Sequence, residues 1–95
     1  MAQSPRPVDL RLTIPAGAPY HVVAGELAGK FAEYSGLDAE AAGRFATQIE
    51  ELTATLGAGA PDESIALEMQ ARERELTVTA TAGTRREQAT QRLPA

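Results

Sequence analysis

The apolar period of this chain runs at two, then between three and four, then at two again, and that succession leaves few folds open. Val8, Leu10, Leu12 and Ile14 alternate with Asp9, Arg11 and Thr13, the mark of a strand with one buried face. Pro15 stops that strand, because proline has no N–H to give to a ladder. Gly17 and Pro19 mark a turn, with Pro19 suited to a first helical position. From there Tyr20, Val23, Leu27, Phe31 and Tyr34 recur at helical spacing. An amphipathic helix with these residues as its buried stripe is expected, closed by Gly36.

Asp38 is placed to cap a second helix, whose apolar stripe is Ala42, Phe45, Ile49, Leu52 and Leu56. Its outer face carries Glu40, Arg44, Gln48 and Glu51, and Gly57, Gly59 and Pro61 read as its stop. Ile65, Leu67, Met69 and Ala71 then alternate with polar neighbours, as do Leu76, Val78, Ala80 and Ala82. The charged run from Arg72 to Glu75 between them predicts an antiparallel hairpin, with Thr77, Thr79 and Thr81 on its solvent face. The expected architecture is an α/β (α+β) two-layer sandwich of order β-α-α-β-β, with two helices on one face of a three-stranded sheet. Residues 1–7 are expected to be a disordered N-terminus, 8–83 the single domain, and 84–95 a polar, disordered tail.

Ninety-five residues make at most one domain, and with 43% hydrophobic and 4% aromatic residues its core must be aliphatic. A core of that size leaves a thin margin of stability, so docking against another chain would help. The absence of cysteine rules out a disulfide framework or a thiolate metal site. With no transmembrane run and no signal-peptide pattern, a cytoplasmic protein without a membrane partner is expected. A net charge of −4 also argues against nucleic acid as a partner. The charge is uneven: Asp38 to Glu75 holds nine acids against three arginines, whereas Thr84 to Ala95 holds three arginines against one glutamate.

The segment LRLTIPAGAPYHVVAGELAGKFAEYSGLDAE, followed by a helix containing IEELTATLGAG, resembles the start of the anti-sigma-factor serine kinases. These belong to the GHKL superfamily of ATPases, which includes histidine kinases. The shared marks are Pro15-Ala16 at the end of the strand and Gly36-Leu37 at the turn between helices, and the likeness runs from about Leu10 to Gly83. It implies a histidine-kinase-like ATPase partial fold. In that family the helix after the turn reads roughly Val-x-Glu-x-x-x-Asn-x-x-x-His. The Asn gives oxygen to the Mg²⁺ of bound ATP, and an Asp-x-Gly after the hairpin meets the adenine amine.

Laid on that pattern with Ile49 at the Val, this chain has Glu51 at the Glu, Thr55 at the Asn and Gly59 at the His. A register one residue earlier gives Glu50 and Ala54 instead, and the chain contains no Asn in any register. Gly83 matches the glycine of Asp-x-Gly, but Thr81 stands at the aspartate and lacks its charge and reach. Only twelve residues follow Gly83, where the family continues into its lid and phosphate loop, so that half is expected to be missing. The resemblance therefore implies a truncated, degenerate relative, with Glu51, Thr55, Thr81 and Gly83 as vestigial cofactor-site positions.

No other constellation supports chemistry. His21 is the only histidine and has no Cys or close acid beside it, so no metal site is expected. Ser35 and Ser64 lack a histidine partner in sequence, and Gly57 and Gly59 precede no Lys-Ser/Thr. Glu50, Glu51, Arg72 and Arg74 read as solvated surface charges. The expected protein is a non-enzymatic regulatory interaction module with no catalytic residues and no cofactor. Its expected partner is a sigma-factor regulator, or a second copy docked through the sheet edge at Leu10 to Ile14. The alternatives are weak binding of ATP with Mg²⁺ between the second helix and the hairpin, lined by Glu51, Thr55 and Thr81, or an unrelated small α/β regulatory subunit.

Overall fold

The computed structural model describes residues 8–17, 19–59 and 62–93. The element order is β1 (Val8–Pro15), α1 (Tyr20–Tyr34), α2 (Ala39–Gly59), β2 (Ser64–Arg72), β3 (Glu75–Ala82) and β4 (Arg85–Arg92). The four strands form one antiparallel sheet in the order β1-β2-β3-β4, with both helices on one face. The expected three-stranded sheet, and the partial histidine-kinase-like sandwich built on it, are thereby corrected to a broadly α+β fold of order β-α-α-β-β-β. The stretch expected to be a disordered tail is the source of the extra strand, pairing with β3 from Glu75↔Arg92 to Ala82↔Arg85. The N-terminal segment 1–7 lies outside the described residues.

Local chemistry explains most boundaries. Asp38 caps α2, its Oδ1 accepting from the Ala41 N–H at 2.8 Å. At the end of α1 the Leu37 N–H bonds the Ala32 carbonyl and the Gly36 N–H bonds that of Glu33, a Schellman closure. That closure needs a left-handed residue, which Gly36 supplies at φ 120°. Helix α2 runs through Gly57 rather than stopping there. The backbone of Ala16, just after β1, lies so close to Gly57 that a Cβ there would meet the Ala16 carbonyl oxygen.

The core is the layer between the sheet and the helices. Ile14, Ile65, Leu67, Met69, Leu76, Val78, Ala80 and Ala82 fill it from below, and Phe45, Ile49 and Leu56 from above. Helix α1 departs from its expected stripe: the residues it buries are Ala24, Gly25, Ala28, Phe31 and Ala32. Tyr20, Val23 and Tyr34 stay exposed at 42%, 47% and 81%. The cause is the closeness of the helices. A Cβ on Gly25 would stand 2.8 Å from the Ala46 carbonyl oxygen, and one on Gly29 3.1 Å from the Ala46 Cβ. Only small residues fit that seam, so the larger ones are turned to the flank facing away from α2.

Two glycines in α2 separate these effects. Gly57→Ala is expected to lower stability by about 1–3 kcal/mol through overpacking against Ala16 backbone. Gly43→Ala, in open space on the same helix, should raise it by roughly 0.5–1 kcal/mol through helix propensity. Urea unfolding of both variants measures the difference; equal effects would contradict the packing account.

The β2–β3 hairpin turns through Glu73 and Arg74, both left-handed at φ 50° and 67°. That matches a type I′ turn, which Asn-Gly makes without the steric cost borne by larger side chains. Replacing the pair with Asn-Gly is expected to stabilise the domain by roughly 1–2 kcal/mol. Thermal unfolding should shift upward by about 4–8 °C per kcal/mol.

Candidate functional site

The positions that the resemblance marks for a nucleotide do not converge. Glu51 is exposed on α2, and the Thr55 hydroxyl donates to the Glu51 carbonyl oxygen at 2.9 Å within its own helix. Thr81 points the other way: along β3 the residues Leu76, Val78, Ala80 and Ala82 face the helices, leaving Thr81 on the open side of the sheet. The sheet itself therefore separates Thr81 from Glu51 and Thr55. Gly83 turns the chain from β3 into β4 at φ 61°, with the Glu63 carboxylate close against its Cα. Glu50 is half-buried, its Cβ meeting Gly25 at the helix seam, and so has a packing role rather than a simply solvated one.

The remaining candidates are equally scattered. His21 is half-buried on the first turn of α1, Ser64 is exposed opposite Pro15, and the buried Ser35 Oγ has no hydrogen-bond partner among the described residues. Among those residues no group of three or more His, Cys, Asp or Glu could hold a metal ion. Nor is any described helix long and apolar enough to cross a membrane.

On the open sheet face a shallow hollow of about 520 Å³ lies over Ala66. Thr13, Thr79 and Thr81 surround it, with Arg11, Glu68 and Arg86 at its rim. Arg11 is held by Glu68 at 3.0 Å, and the Thr79 hydroxyl accepts from the Gln88 amide at 3.1 Å. These are cross-strand partners, so their contacts serve the sheet as readily as a ligand. Leu12, Ala66 and Leu67 give the hollow some apolar lining, but it is open to solvent and lacks the enclosure that holds a small molecule firmly.

A more pronounced surface lies along the β1 side. Gly25 and Gly29 face α2, so Tyr20, Val23 and Leu27 occupy the opposite flank of α1, beside the edge of β1 that no strand pairs among the described residues. Leu10 and Leu12 of β1 are only half-buried beneath it, and Tyr34 extends the apolar strip toward the end of the helix. Backbone groups of an edge strand and a contiguous apolar flank thus share one side of the domain. The sequence held a signal for this flank: Gly25, Ala28, Gly29 and Ala32 also recur at helical spacing, and small residues mark close helix contact. No protein-family model matches the chain, and no curated protein matches it.

Because the marked residues diverge, titration with millimolar ATP and Mg²⁺ is expected to give no binding heat. Glu51→Gln and Thr81→Ala should each change stability by less than about 0.5 kcal/mol, as solvent-facing substitutions do. Saturable heat that either substitution removes would restore the nucleotide site.

Proposed function

We propose that this chain is a non-catalytic protein-interaction module that docks through the β1 edge and the adjoining flank of α1. The observation that carries the reading is that the β1 edge, unpaired among the described residues, lies on the same side as exposed Tyr20, Val23 and Tyr34. Unpaired strand groups favour another strand, and the aromatic flank supplies apolar area beside it. The opposite edge, β4, carries Arg85, Arg86 and Arg92 and so discourages such pairing.

A second copy of the chain, docked edge to edge, is the partner proposed first. A twofold arrangement of β1 against β1 would extend the sheet and bring the two α1 flanks together. The alternative partner is a sigma-factor regulator, and it rests on the motif likeness to the anti-sigma-factor serine kinases. In either case the module acts by contact in the cytoplasm, with no nucleotide, metal or nucleic acid.

Light scattering on the eluting protein tests the first partner. The chain is expected to run as a dimer at tens of micromolar, and Val23→Glu with Tyr34→Ala to run as a monomer with the same helical circular dichroism. A wild-type monomer at millimolar concentration would sink the self-association reading.

A further inference from the structure

Backbone alternation decides which polar groups β1 leaves on its outer side. The Ala16 N–H donates to the Glu63 carbonyl at 3.1 Å, and that pair continues the register in which Pro15 lies opposite Ser64. Hydrogen-bonded pairs alternate along an antiparallel ladder, so Ile14, Leu12 and Leu10 bond β2 as Ala16 does. The N–H and C=O groups of Asp9, Arg11 and Thr13 therefore point away from β2, toward the side that no strand pairs among the described residues. Pro15 belongs to the same set, and an edge tolerates it there because the N–H it lacks has no ladder to serve. Its carbonyl still faces outward.

A second copy of β1, antiparallel about a twofold axis, is tightly restricted by that alternation. Hydrogen-bonded pairs across the axis can form only between outward-facing residues. Two registers give every outward N–H a carbonyl; any other leaves at least one donor past the end of β1. The first sets Arg11 opposite Arg11, and like charges directly opposite destabilise a strand pair. The second sets Arg11 opposite Thr13, which exchange bonds in both directions, while the Asp9 N–H meets the Pro15 carbonyl. Arg11 then has no cation directly across from it and keeps its bond to Glu68 of its own chain at 3.0 Å. We infer that β1 joins its own image in this second register, centred on Leu12; the inference rests on the self-association proposed above. On the helix side Leu12 meets Leu12 and Leu10 meets Ile14, so the half-buried leucines of one copy are covered by the other. The strand is thus complementary to its own reversed copy in donors, charge and apolar row alike.

The chain has no cysteine, so single cysteines introduced along β1 report the register. Leu12→Cys places the thiols of two copies across the axis at a non-hydrogen-bonded pair, with Cα atoms about 4.5 Å apart, within the reach of a disulfide. Under mild oxidation, read on a non-reducing gel, Leu12→Cys is expected to form covalent dimer about tenfold faster than Leu10→Cys, Arg11→Cys or Thr13→Cys. Fastest reaction at Arg11→Cys would overturn the Leu12 register and leave edge-to-edge association standing. If no β1 position outpaces Thr55→Cys, exposed on α2, both fall together. Should Leu12→Cys fail to fold, the Leu10→Cys and Ile14→Cys chains are mixed instead. Mixed covalent dimers are then expected to outpace dimers of either chain alone, and their failure to do so would equally overturn the register.

Discussion

The close approach of α1 and α2 is the contact on which the rest of the domain depends. Gly25 and Gly29 of one helix lie against Ala46 of the other, so the two helices form a narrow slab. That slab fits the width of a short sheet, with α1 over β1 and β2 and α2 over β2, β3 and β4. Because the seam admits only small side chains, Ala24, Ala28 and Ala32 do the packing there, and Phe31 with half-buried Leu27 is the large contribution of α1 to the core. The larger residues of α1 then have nowhere to go but outward. The exposed flank that defines the candidate interface is therefore a consequence of how tightly the helices meet.

Much of this architecture is legible in the order of residues. The alternation in β1, the Asp38 cap, the Gly36 closure and the β2–β3 hairpin each follow from one local rule, and each appears where that rule places it. Two features escape a reading by apolar period alone, for different reasons. The face of α1 is decided by size rather than hydrophobicity: Tyr20, Val23 and Tyr34 are as apolar as a core stripe, but too large for the seam. Strand β4 has no apolar alternation to find, since Ala89 alone is buried and its neighbours are charged or amide side chains. What places β4 is the unsatisfied edge of β3 and a two-residue turn at Gly83, and neither is a property of β4 itself.

The candidate site was less legible than the fold. Spacing along α2 can bring Glu51 and Thr55 to neighbouring turns, but it says nothing about which side of a sheet a hairpin residue faces. Period-two alternation does say so, and it places Thr81 with Thr77 and Thr79 on the open side. The motif likeness and the strand period thus make opposite demands on Thr81, and the packing of Ala80 and Ala82 settles the matter for the period. An interface of exposed side chains has no comparable sequence rule, because its residues are chosen by what the core leaves out.

The placement of the aromatic residues has a spectroscopic consequence. The chain has no tryptophan and two tyrosines, Tyr20 and Tyr34, and both are exposed on α1, while Phe31 and Phe45 occupy the interior. Tyrosine emission should then change little when the core melts, because its surroundings are already aqueous. It should change most when something covers that helix flank. The intrinsic fluorescence of this domain is thus a poor thermometer of folding and a native reporter of contact.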